Sequence, residues 1–380
     1  MDALSRLNLL MSQMHLEPAE DIDCLRLSRK KEDSIYIGTA TQPNGTKIKL
    51  LKTLLSSVCE RNCNYCPFRA NRDFPRATFM PDEFARIFMS LHNSKIANGI
   101  FLSSGVINGG ISTQDRIIAT AQILRKKYKF RGYIHLKIMP GAEKLQVEEA
   151  MLLANRVSVN LEAPNQDRLS RLAPHKNYLE ELLQPLQWIE EVRKNKPGYR
   201  AWNGYWPSSV TQFVVGAVDD TDLELLSTTQ FLYHMLNLKR AYYSAFSPII
   251  DTPFENTPPT SPIREKRLYE ASFLIRDYGY DVEDLEFDKS GNLPLHADPK
   301  LIWAQKNLVE PIEINKAESS QLLRIPGIGK KSVEIILAAR RISLIRDLGE
   351  LRHMGININR AAPYVLCNGK YPPRQLAFKI

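Results

Sequence analysis

Ile48-Lys49-Leu50-Leu51-Lys52-Thr53-Leu54-Leu55 is an apolar, strand-like run, and soon after it comes Cys59-Glu60-Arg61-Asn62-Cys63-Asn64-Tyr65-Cys66. Parallel α/β folds keep their sites beyond the C-terminal ends of strands, so a strand that hands over to three cysteines bears on fold and chemistry together. A cubane iron–sulfur cluster is ordinarily held by four thiolates, and three at this spacing leave one iron open to an exogenous ligand. Zinc is the competing occupant and needs a fourth ligand. None lies nearby: the next histidine is His92, and no second paired-cysteine knuckle follows. A disulfide framework fits worse, because five cysteines in 380 residues are sparse and odd in number.

Outward from this loop, β-rich runs at residues 48–55, 99–103, 132–138, 156–161, 211–215 and 240–246 alternate with longer helical stretches. That alternation predicts a parallel α/β sheet. Six βα units predict a partial (β/α)6 TIM-type barrel, since eight strands need more than about 200 residues. An open doubly wound sheet is the alternative that periodicity leaves standing. On this reading residues 1–40 precede a barrel at 41–255, a helical connector covers 256–310, and a small all-α domain occupies 311–380.

Alternation inside the strands predicts what the barrel encloses. In Val157-Ser158-Val159-Asn160-Leu161-Glu162 the apolar residues share one face, and Ser158, Asn160 and Glu162 share the other. Tyr133, His135 and Lys137 separate from Ile134, Leu136 and Ile138 in the same way. Buried charges need partners or a ligand, so the polar lumen implies a ligand unless Lys137 and Glu162 simply pair with each other. Arg171, beyond the fourth strand run, suits a carboxylate; His175 is a weaker candidate. Arg61, Arg69, Arg72 and Arg76 crowd the cysteine loop, either to attract an anion or a reducing partner or as a solvated surface.

Composition frames these readings without deciding them. A hydrophobic fraction of 43% with 24% charged residues is that of an ordinary soluble chain, and the net charge of +9 suits a nucleic-acid partner or mere solubility. No apolar run is long enough for a membrane helix, and the first residues lack the features of a secretory leader, which predicts a cytoplasmic protein. Trp202, Tyr205 and Trp206 form an aromatic insert that would stack bases or pack a loop.

Near the C-terminus, Leu322-Leu323-Arg324-Ile325-Pro326-Gly327-Ile328-Gly329-Lys330-Lys331-Ser332-Val333 predicts two helices around a tight hairpin, with Asn315 as the N-cap of the first. Val333, Ile336 and Leu337 would pack the second helix on the first. A degenerate second copy spans residues 344–356, followed by a helix at 360–366; it lacks the Gly-x-Gly turn. The first copy resembles the helix-hairpin-helix motif of DNA repair proteins. The resemblance implies that the backbone of Gly327, Ile328 and Gly329 approaches a phosphate, with Lys330 and Lys331 adding charge.

The cysteine loop, with Tyr65 before its last cysteine, resembles the cluster motif of the radical S-adenosylmethionine (radical SAM) enzymes. The resemblance implies a [4Fe–4S] cluster on Cys59, Cys63 and Cys66, with SAM on the open iron and a 5′-deoxyadenosyl radical as the hydrogen-abstracting species. It further implies that Ser103 and Ser104 receive the methionyl amine, although the family's frequent Gly-Gly-Glu is absent. Asn160 and Glu162 resemble the ribose-binding pair of biotin-synthase-like members, Gly216 falls in a segment near adenine, and Arg171 would meet the SAM carboxylate. Both motifs together, over residues 35–367, resemble the DNA modification or repair radical SAM proteins, often encoded beside a uracil-DNA-glycosylase-like protein. DNA, that glycosylase-like protein and a low-potential electron donor are the implied partners. RNA or protein substrates, with the hairpin as a docking module, are one alternative, and a non-catalytic metal-containing DNA-binding protein is another.

Overall fold

The computed structural model describes residues 2–11, 14, 37–41 and 45–371, which leaves Cys24 outside. It divides into two units, Met1–Asp220 with Phe231–Glu265, and Thr221–Gln230 with Lys266–Ile380. Among the described residues no helix is long and apolar enough to cross a membrane.

In the first unit α1 (Ala3–Met11) precedes β1 (Ile37–Thr41) and β2 (Lys47–Leu54). From there helices and strands alternate: α2 (Pro81–Asn93), β3 (Gly99–Ser103), α3 (Gly109–Gln122), β4 (Tyr133–Lys137), α4 (Lys144–Leu153), β5 (Arg156–Ser158), α5 (Gln166–Leu172), α6 (Gln184–Asn195) and β6 (Ser208–Val215). After α7 (Asp222–Met235) comes β7 (Arg240–Ala245). The strands form one open, curled sheet in the order β1 to β7, with β2 to β7 parallel. All six expected parallel strands are present, in the arrangement of a partial TIM-type barrel.

Two features depart from expectation. β1 pairs antiparallel with β2, Ile37 opposite Leu51, and extends the sheet by an edge strand within the stretch expected to precede the barrel. Ile37-Gly38-Thr39-Ala40-Thr41 carries too little apolar alternation to announce itself, and its pairing with β2 defines it. β5 ends at Ser158 rather than at residue 161, because the chain then leaves the ladder. Glu162 re-engages it by a single bridge to Phe213, at a left-handed φ of 65°.

The second unit contains α9 (Pro299–Asn307), after α8 (Pro262–Tyr278), whose C-terminal part belongs to it. Then come β8 (Ile312–Glu313), α10 (Ser319–Arg324), α11 (Lys330–Ala339), α12 (Leu348–His353), α13 (Ile358–Ala361) and β9 (Val365–Leu366). Leu322, Ile325, Ile328, Val333, Ile336, Leu351 and Ile356 share its buried core. Glu318, not Asn315, caps α10, in a reciprocal box with Gln321. Asn315 instead exchanges side-chain hydrogen bonds with the Ile345 backbone, at 2.9 and 2.8 Å. The helix expected at 360–366 is replaced by α13, a 3-10 turn and β9, which pairs with β8.

Candidate functional site

The cysteine loop leaves β2 and is held against the segment beyond β3. Gly105 N–H donates to the Ser56 carbonyl at 2.7 Å, and Glu60 N–H donates to the Val106 carbonyl at 2.9 Å. The approach is so close that a Cβ on Gly105 would lie 2.1 Å from the Val58 carbonyl oxygen. On its other flank Asn64 N–H reaches the Leu172 carbonyl at the end of α5, at 2.8 Å. Backbone N–H groups of Val106 and Phe68 point at the Sγ atoms of Cys59 and Cys66, each at 3.4 Å.

The arginines around the loop build it rather than face solvent. Arg76 donates to the carbonyls of Ser57, Phe68, Arg69 and Arg72 and lies over the Phe74 ring. Arg61 pairs with Glu181 and reaches the His175 carbonyl, while Arg72 binds the carbonyls of Pro67 and Ile250. Arg69 contacts the Asn62 carbonyl.

Cys59, Cys63 and Cys66 line one cavity with Tyr65, Ser103, Ser104, Lys137, Asn160, Glu162, Lys176 and Gln212. Asn160 Nδ2 donates to Gln212 Oε1 at 3.3 Å. Lys176 Nζ donates to Glu162 Oε1 at 3.0 Å, with both side chains almost wholly buried. Glu162 Oε2 is buried there without a hydrogen-bond partner, an acceptor open to a ligand hydroxyl. Burial works against the Lys176 charge, but the neighbouring Cys63 thiolate and Glu162 carboxylate outweigh it and push the ammonium pKa up.

Three thiol donors lining one cavity fit the three-cysteine hold of a cubane cluster. Burial first, then the neighbouring thiolates, push the Cys66 thiol pKa up; burial does the same for Cys63, with Glu162 and Cys59 adding to it. A cationic iron centre relieves that conflict, because a coordinated thiol is deprotonated outright. Burial, then Glu162, raises the Tyr65 pKa, so its phenol stays protonated.

Other expected contacts lie elsewhere. Arg171 is half exposed, pairs with Asp219 at 2.8 Å and is not among the residues lining the cavity. Gly216 is likewise absent from the lining; it makes a left-handed turn after β6, where a Cβ would strike Thr260 Oγ1. Lys176, the cation beside Glu162, escaped the sequence reading because no strand or helix periodicity points it inward. The turn after α5 does. Trp202 and Trp206 pack at the N-terminal ends of β5 and β6, their indole N–H groups on the Ala154 and Lys196 carbonyls; only Tyr205 of the insert is well exposed.

In the second unit, Gly327 has a φ of 84°, and a Cβ there would lie 2.7 Å from the Asn357 carbonyl oxygen. Ile328 is buried as a whole residue, its N–H on the Ile325 carbonyl and its own carbonyl on Lys300 Nζ. Gly329 is the N-cap of α11. Lys330 pairs with Asp277 at 3.1 Å.

Residues 53–200, from within β2 to the turn before β6, match the model of the Radical SAM superfamily. This segment is a radical SAM domain. It contains the three cysteines, Ser103, Ser104, Asn160, Glu162 and Lys176. Among solved structures this chain is similar to methylornithine synthase (PylB), at 12% identity and a TM-score of 0.47, over 60% of this chain and 62% of that one. The HydG maturase of the [FeFe]-hydrogenase from Carboxydothermus hydrogenoformans is similar at 16% identity and a TM-score of 0.44, over 60% of this chain and 51% of that one. The chain thus spans less than two thirds of the length of these solved structures. No curated protein matches the sequence.

Proposed function

We propose that this chain is a radical SAM enzyme, with a [4Fe–4S] cluster and SAM as its cofactors, and that it removes a hydrogen atom from a base or sugar of DNA, in modification or repair. The observation that carries the radical reading is the convergence, on one cavity, of three cysteines and a buried Glu162 oxygen that has no partner. In this reading Cys59, Cys63 and Cys66 hold the cluster, and Glu162 with Asn160 receives the ribose hydroxyls of SAM. Lys176 faces its carboxylate, and Ser103 and Ser104 receive its amine. When bound and reduced, cluster and SAM together supply the 5′-deoxyadenosyl radical; the protein supplies position and a dry site. DNA as the target is supported by the hairpin at Gly327 and Gly329, two half-buried glycines that head α11 beside two exposed lysines. A uracil-DNA-glycosylase-like protein and a low-potential electron donor are the partners this role calls for.

Anaerobic reconstitution with iron and sulfide, followed by dithionite and SAM, is expected to yield 5′-deoxyadenosine, and Cys63→Ala to abolish it. A fully loaded enzyme that makes none would sink the radical reading. Mass analysis of nucleosides from damaged and undamaged duplexes tests the target. A product found only on RNA or on a protein would replace DNA.

A further inference from the structure

Lys300, on α9, is buried directly behind the hairpin. Its Nζ donates to the Ile328 carbonyl at 2.6 Å and lies 4.8 Å from the centre of the Tyr278 ring. Asp298 and Arg360 face it as a pair at 2.5 Å, and Arg324 stands near, bound to Asp284 at 3.0 Å. Glu270 closes the same cavity from α8, held by Arg267 at 2.6 Å. The groove beside it, which shares Tyr278 and Gly329, carries the Asp277–Lys330 pair.

The carbonyl of Ile328 and the N–H of Gly329 belong to one trans peptide plane and point in opposite directions. A carbonyl drawn inward by Lys300 therefore turns the Gly329 N–H outward. No intramolecular acceptor takes that N–H among the described residues, and it stands at the head of the ten-residue helix α11.

We propose that Lys300 is a positioning residue for a nucleic-acid backbone, holding the Ile328 carbonyl so that the Gly329 N–H meets a phosphate oxygen, with its own charge adding to the grip. The inference rests on the reading of the hairpin as a DNA contact. Burial, reinforced by Arg360 and Arg324 and opposed by Asp298, brings the Lys300 pKa down to about 7. The grip therefore weakens as pH rises through neutrality.

The test is fluorescence anisotropy of the full chain on a short mixed-sequence duplex, from about one unit below the Lys300 pKa to about one unit above. Wild-type affinity should fall about threefold across that range, and Lys300→Arg should hold the low-pH affinity throughout. Lys300→Met should bind about tenfold more weakly at the low end, with a shallower slope that separates Lys300 from the chain's histidines. Melting curves report whether each variant is folded. Wild-type binding that persists without a slope overturns the inference alone, as does a folded Lys300→Met with wild-type affinity and slope. If Lys300→Met does not fold, the wild-type and Lys300→Arg series decide, and equal slopes overturn it. Failure to bind duplex at any pH overturns the DNA reading and this inference with it.

Discussion

Glu162 adopts a left-handed backbone conformation that costs a non-glycine residue roughly 1–3 kcal/mol. In return its carboxylate stands between Lys176 and the cavity, one oxygen bonded and the other open. Glu162→Gln is expected to weaken SAM binding about tenfold in calorimetric titration, with little change in folding. Lys176→Met leaves that carboxylate buried without its cation and should destabilise the apo chain by about 3 kcal/mol in chemical denaturation. Lys300 makes a stability prediction of its own, with the opposite sign to a salt-bridged lysine. Its folded pKa of about 7 lies below the ordinary 10.5. Between those values the unfolded chain binds more protons, so stability increases with pH. Melting temperature should climb across that window in wild type and less steeply in Lys300→Met.

At the level of elements, the cysteine loop depends on Gly105. Gly105→Ala drives a methyl group into the Val58 carbonyl, and reconstituted protein should retain less iron and lose about 2 kcal/mol of stability. The six parallel strands were legible because each carries its own apolar run between helical stretches, a signal contained in a few consecutive residues. β1 was not, since its apolar content is slight and its pairing with β2 creates it. The same division explains the site. The cysteines, Asn160 and Glu162 could be found from spacing and alternation, whereas Lys176 reaches the cavity from a turn whose direction is tertiary. Arg171 shows the converse, an attractive residue type on a helix whose exposed end gives it Asp219 instead. The hairpin turn was legible through Gly327 and Gly329; the role of Lys300 was not, because α9 is distant in sequence from the carbonyl it holds.

Two of the three boundaries between the units fall inside unbroken helices, between Gln230 and Phe231 in α7 and between Glu265 and Lys266 in α8, while the third, between Asp220 and Thr221, precedes α7. Cutting the chain at either of the first two would open a helix, so the two sites are best separated chemically. Stripping iron with a chelator should abolish SAM binding and leave duplex affinity unchanged, because the cavity and the hairpin share no residue. Arg76, finally, ties the loop together through four of the chain's own carbonyls. The shape of the cysteine loop thus hangs on a side chain that is itself no thiol. Arg76→Met is expected to speed hydrogen exchange at residues 57–77 and to lower the iron retained on reconstitution, although every cysteine is still in place.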